Sequence, residues 1–158
     1  MTNQPIKRHP GLKELSRDHH HGLLLCWKIR QGIKKGIAPE RIKSYADFFF
    51  QHDLENHFQE EETHVFPLLE KENPQVKKAL EQHQSLVKLF TQNPEEADLT
   101  ATLTAIADQL KAHIRFEERE LFNEIQQAVP EETLQKLVSK LKTLSEKTER
   151  DNWGDPFW

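Results

Sequence analysis

Cysteine is almost missing: a single residue, Cys26, in 158 excludes an intramolecular disulfide and a cysteine-rich zinc site. Glycine and proline are sparse, at five and eight, and the β-branched runs that build sheets are scarce. An all-α fold is therefore expected. No stretch approaches the length of a membrane span. The opening MTNQPIKRHPGLKEL lacks the apolar run of a secretion signal, so the cytoplasm is the expected compartment. A formal net charge of −4 leaves no electrostatic footprint for nucleic acid. There is no glycine-rich phosphate loop and no nucleophile with a base at useful spacing. What is plentiful is histidine: nine, against one tyrosine and one methionine.

At this length the chain reads as one domain with a real core. Its prolines stand where helices should begin. Pro10-Gly11 opens a periodic stretch to about Lys35, closed by Gly36. Pro39 suits the first turn of a second helix reaching Pro67 and on toward Glu72, with a kink or break at Pro67. A third, shorter helix runs from near Pro74 to Asn93-Pro94. Asp98 is the expected N-cap of a fourth, which ends near Ala128. Residues 131 to about 149 form an amphipathic fifth helix. The tail from Asn152 to Trp158 is too short for an element and is expected to dock or fray. Short connections imply antiparallel neighbours. The expected architecture is an up-down-up-down antiparallel four-helix bundle over residues 11–129. It is preceded by an extension (1–10) and followed by an additional C-terminal helix and aromatic tail (130–158).

Each helix carries an apolar stripe at three- and four-residue spacing. The first reads Leu12, Leu15, His19, Leu23, Cys26, Ile33. The second reads Ala46, Phe50, Leu54, His57, Glu61, Val65, Leu68. The third reads Val76, Ala79, Leu80, His83, Leu86, Phe90, and the fourth Leu103, Ile106, Leu110, His113, Glu117, Leu121, Ile125. Every stripe is interrupted near its middle by residues that a core should refuse. A buried carboxylate costs several kcal/mol unless paired or bound to a cation, and no Lys or Arg shares these stripes. A pair of divalent cations resolves the conflict, with carboxylates supplying charge and imidazoles neutral nitrogen donors. The His-x3-Glu spacing of His57/Glu61 and His113/Glu117 places each pair on one face, a turn apart. At ~1.5 Å per residue the histidines of all four helices fall at comparable heights.

The chain also echoes itself. His57-Phe-Gln-Glu-Glu61-Glu-Thr-His-Val-Phe66 aligns with His113-Ile-Arg-Phe-Glu117-Glu-Arg-Glu-Leu-Phe122. Two helix hairpins thus contribute similar ligand sets.

With Leu-Ser-Arg-Asp-His-His-His near the start and His-Phe-x-x-Glu-Glu-x-x-x-Phe-Pro at 57–67, the chain resembles the hemerythrin-like, His-His-Glu cation-binding family over about residues 10 to 128. The resemblance implies a four-helix bundle with a non-haem di-iron centre, two Fe ions bridged by two carboxylates, with Mn or Zn as other occupants. Carried over, the nitrogens come from His19 or His20, His57, His83 and His113, and the bridges are Glu61 and Glu117. Oxygen-carrying hemerythrins have two histidines a turn apart on the third helix. Here Val87 stands four residues after His83. The carriers also place a carboxylate five residues after the last histidine, where this chain offers Glu117 at four and Glu118 at five. These departures point away from oxygen transport and toward O2, NO or redox sensing, or iron handling, with O2, NO or peroxide as small ligands.

Helical phase favours His19 over His20. His64 is either a further ligand or a hydrogen-bond partner of one. Glu62 and Glu118 point about 100° away from the stripe and are expected on a solvated face, Glu118 with the better claim to a role. Cys26 packs as a small hydrophobe. The alternatives are a di-iron oxidase or peroxidase, and a mononuclear zinc or metal-free helical adaptor. Only Glu61-Glu-Thr-His64 fits the Glu-x-x-His pairs of the former, so a binding protein is favoured over an enzyme. A homo-oligomer or separate signalling partner would meet the fifth helix and the tail.

Overall fold

The computed structural model describes residues 7–92, 98–144 and 153–158, and among these every regular element is helical. Helix α1 (Pro10–Lys34) begins where the His9 ring nitrogen accepts from the Gly11 amide at 2.8 Å. It ends at Gly36, whose φ of +72° is the left-handed conformation that glycine adopts without penalty. The second rod is composite: α2 (Pro39–Phe49), a π turn (Phe50–Leu54), α3 (Glu55–Glu60), a second π turn (Glu61–Val65) and a 3-10 turn (Phe66–Leu68). It stops at Leu68 rather than continuing toward Glu72, because Leu69 is extended. Helix α4 (Pro74–Thr91) is capped by Asn73. Helix α5 (Leu99–Phe116) is capped by Asp98, whose carboxylate accepts from Thr100 and Ala101. It continues through a third π turn (Glu117–Leu121) into α6 (Phe122–Ala128), and α7 (Glu131–Leu144) follows. The extension before Lys7, the Asn93-Pro94 stop, the end of the fifth helix near 149 and Asn152 lie outside the described residues.

Cross-rod contacts fix the directions. His19 meets Glu117 while Arg30 meets Asp108, so α1 and α5 run antiparallel. Lys28–Tyr45 and Asp18–His57 oppose α1 to the second rod. Glu62–His83 and Lys43–Phe90 oppose that rod to α4, and Gln82–His113 with Ser85–Gln109 oppose α4 to α5. The result is an all-α helical bundle whose four rods close into a ring.

Two apolar clusters fill it. One holds Leu25, Ile29, Ile42, Phe49, Phe90 and Leu110; the other holds Leu12, Leu15, Val65, Val76, Leu121 and Ile125 with Leu134, Leu137 and Leu141 of α7. Helix α7 lies against the start of α1 so closely that a Cβ on Gly11 would come within 2.3 Å of the Leu134 carbonyl oxygen. The aromatic tail docks: Phe157 is buried, Arg41 clasps Asp155, and Lys28 lies 3.8 Å from the Trp158 ring centroid. Leu23, expected in the α1 stripe, is 36% exposed, and Gly22 takes the buried position against Ile114. No helix among the described residues is long and apolar enough to cross a membrane.

Candidate metal centre

Between the two apolar clusters lies a layer of six buried polar side chains. His19, His57, Glu61, His83, His113 and Glu117 are each 3% exposed or less. Their ends converge in two overlapping groups that share both glutamates: His19, His57, Glu61 and Glu117, and Glu61, His83, His113 and Glu117. The Nε2 atoms stand at 2.9 Å (His19 to Glu117), 3.1 Å (His83 to Glu61), and 3.4 Å (His57 to Glu61 and His113 to Glu117) from carboxylate oxygens. Donors each about 2.0–2.2 Å from a common ion are roughly 3 Å apart at neighbouring coordination positions, so the spacing suits a cation.

The π turns have a part in this convergence. Successive core positions four residues apart overshoot a 3.6-residue turn, and a wider turn absorbs the excess. The fourth stripe has three such steps from His113 to Ile125, and its π turn starts at Glu117. The second has paired four-residue steps on each side of the Leu54–His57 interval, and each pair meets a π turn. Glu61 and His113 therefore keep facing inward while Val65, Leu121 and Phe122 return to the core.

The opposite ring nitrogens decide the protonation. The Nδ1 atoms of His19, His57, His83 and His113 lie 2.7, 3.0, 2.7 and 2.6 Å from Glu118, Asp18, Glu62 and Gln82 oxygens. Those oxygens can only accept, so each Nδ1–H donates outward; the Nε2 of His19 meets Glu117 at 2.9 Å, and the Nε2 atoms of His57, His83 and His113 turn lone pairs toward the carboxylates. Lone pair would then face lone pair. The Nε2 atoms of His57, His83 and His113, both oxygens of Glu61 and one of Glu117 are buried without a hydrogen bond of good geometry. Only protons or cations satisfy such a centre, and two divalent cations fit the donor set.

In the metal-free protein, protons fill that role. Burial opposes charge on His19, but Glu117 and Glu118 outweigh it and push the imidazole up to about 9. Burial likewise opposes charge on His83, and Glu61 and Glu62 raise it to about 9. His57 is held well above its ordinary range, burial again being overcome by Glu61 and Asp18. Glu117, despite burial, is held well below the carboxylate range by His113 and His19. The stabilisation from His19 and His83 is complete below about 6.5 and lost as pH rises through about 9. Denaturant midpoints of chelator-treated protein should fall across that window. A profile flat from pH 6 to 9 would contradict this charge arrangement.

Of the seven singled-out residues, the structure brings six together. His20 is exposed and packs its ring against His21, outside the centre. His64 is half-buried and belongs to neither group. Glu62 and Glu118, expected on a solvated face, each turn one oxygen back onto a histidine; their side chains keep 43% and 29% exposure. Gln82 was not anticipated. The signal was present in the order of the chain: Asp18 and Gln82 directly precede a helix histidine, and Glu62 and Glu118 directly follow a buried glutamate. Val87 is 38% exposed, and the buried positions one turn to either side of His83 are Ala79 and Leu86, on the inward face that α4 shares with Val76 and Phe90.

Residues 10–125 match the family model described as the hemerythrin HHE cation binding domain. Neither the search of curated proteins nor that of solved structures returned a match.

Proposed function

The chain belongs to the hemerythrin HHE cation-binding domain family, and from that premise we propose that it is a non-haem di-iron protein that senses O2, NO or redox state, or handles iron. The carrying observation is the set of buried, inward-facing Nε2 and carboxylate atoms without hydrogen bonds, backed on the outside by held Nδ1 atoms. His19 and His57 would hold one ion, His83 and His113 the other, and Glu61 and Glu117 would serve both. Mixed imidazole and carboxylate donors suit iron, with manganese or zinc as competing occupants. When bound, the irons would supply reversible redox chemistry and open coordination positions for a small molecule.

The protein's own contribution is positioning and exclusion. Asp18, Glu62, Gln82 and Glu118 fix the imidazole tautomers. Phe58 stacks on His83 at 4.0 Å and Phe122 on His19 at 5.4 Å, which limits ring rotation. A narrow cavity bordered by Asp18, Asp53, His19, His57 and His113 on its polar side and by Phe49, Leu54 and Ile114 on its apolar side has room for about one water-sized molecule. That size suits a diatomic gas better than an organic substrate.

Protein purified from iron-replete cells is expected to carry about two irons per chain. Its near-ultraviolet and visible absorption should differ between anaerobic and aerobic samples. A chain that holds no stoichiometric transition metal would end this reading.

A further inference from the structure

The four outer hydrogen bonds form a closed circuit. Asp18 of the first rod holds His57 of the second, and Glu62 of the second holds His83 of the third. Gln82 of the third holds His113 of the fourth, and Glu118 of the fourth holds His19 of the first. Each rod thus orients the histidine of the rod that follows it around the ring. The arrangement has a two-fold likeness: Asp18 corresponds to Gln82, Glu62 to Glu118, and the inner ligands correspond pairwise. Three of the acceptors are carboxylates and one is a neutral amide.

Resting on the metal-centre reading above, we propose that Gln82 makes the two metal positions unequal, the ion between His19 and His57 being held more tightly than the ion between His83 and His113. A carboxylate that accepts the Nδ1–H shares the imidazole's proton and makes its Nε2 a stronger donor; an amide oxygen does this less. Both histidines of the first position rest on carboxylates, and only one of the second does. Exposure acts in the same direction. Asp18 is 17% exposed and Glu118 29%, whereas Glu62 is 43% exposed and more fully screened. Arg8, 3.5 Å from Glu118, draws part of that carboxylate's charge away from His19. The inequality therefore rests chiefly on Asp18 against Gln82. These two are positioning residues, since neither belongs to the converging groups.

The test is a titration of the metal-free full chain with Co2+ alone, followed by its visible bands and by calorimetry. Two ions sharing Glu61 and Glu117 repel each other, so two steps would arise even in a symmetric centre, and the variants decide. Gln82→Glu should tighten the weaker step about tenfold and leave the tighter one within about twofold. Asp18→Asn should weaken the tighter step by about tenfold or more. His113→Ala should remove the weaker step and His57→Ala the tighter one. Should an alanine variant not fold, the isosteric double swap Asp18→Asn/Gln82→Glu takes its place and should bring the steps together or reverse their order. Equal responses of both steps to Gln82→Glu, or loss of the weaker step in His57→Ala, would overturn the inequality and leave the metal centre standing. A wild-type chain that takes up no Co2+ would overturn both.

Discussion

Replacing Glu61 and Glu117 together by glutamine should strip the centre of metal while the bundle stays folded. Both carboxylates are fully buried and belong to both converging groups, so their loss strikes both groups at once. Loss of one outer hydrogen-bonding partner typically costs about 10–100-fold in metal affinity; loss of two shared inner ligands and their charge should exceed that. The metal-free variant has less to lose. His19, His57 and His83 no longer face buried anions, so they return toward neutrality, and the glutamine amides can hydrogen-bond to Nε2 lone pairs. Removal of a buried charge together with its need for compensation is commonly neutral or stabilising. Metal analysis and circular dichroism on the same sample check both halves. Retention of one ion or more per chain in a folded variant would refute the assignment of these two residues.

Phe122→Ala should destabilise the protein by about 3–5 kcal/mol, the usual range for deleting a fully buried aromatic ring. Phe122 is the largest of the fully buried side chains among the described residues and follows directly on the third π turn. One of its contacts is the stacked His19 ring, and the Arg8 guanidinium lies 5.4 Å from its ring centroid. The truncation therefore frees a ligand ring as well as opening a cavity. Metal release should accelerate alongside the drop in the denaturant midpoint. Phe122→Leu should recover most of the stability, since it restores volume, but less of the metal retention, because it does not restore the stack. A destabilisation below about 1 kcal/mol would mean that the neighbouring rods close over the gap and that the ring contact matters little.

The bundle and its inner layer were legible because both depend on period. Hydrophobic spacing places a stripe on each helix, and a His-x3-Glu pair inside a stripe has nowhere to point but inward. Proline and Asp98 marked the helix starts for local steric and capping reasons that carry over unchanged into the fold. The outer layer was harder to read. Glu62 and Glu118 are off the stripe by a full 100° step, and on an ideal helix that means solvent. Glutamate is long enough to reach back along the surface, and each lies within a π turn, which alters the local phase. Gln82 carries no charge and no metal-ligand chemistry, so residue type alone gives it no weight; only its place beside His113 does. The choice between His19 and His20 was a matter of one 100° step, which Leu12 and Leu15 settle by anchoring that face of α1 under α7. Leu23 was misplaced for a related reason. Gly22, with no side chain to register on a hydropathy stripe, is what lets α1 approach Ile114.

The docked tail has an optical consequence. The chain's three tryptophans fall into two environments: Trp27 is 49% exposed on α1, whereas Trp153 and Trp158 flank the single tyrosine, Tyr45, at ring separations of 5.5 and 5.0 Å. Light absorbed by Tyr45 has an indole acceptor on either side, so the phenol should be nearly dark while the tail is seated and should regain its own emission when the tail lifts. Lys28, against both Tyr45 and Trp158, stands nine positions, roughly 13 Å along α1, from His19. Ultraviolet emission can thus report on the tail while visible absorption reports on the metal layer, so the two ends of one bundle can be followed in a single cuvette.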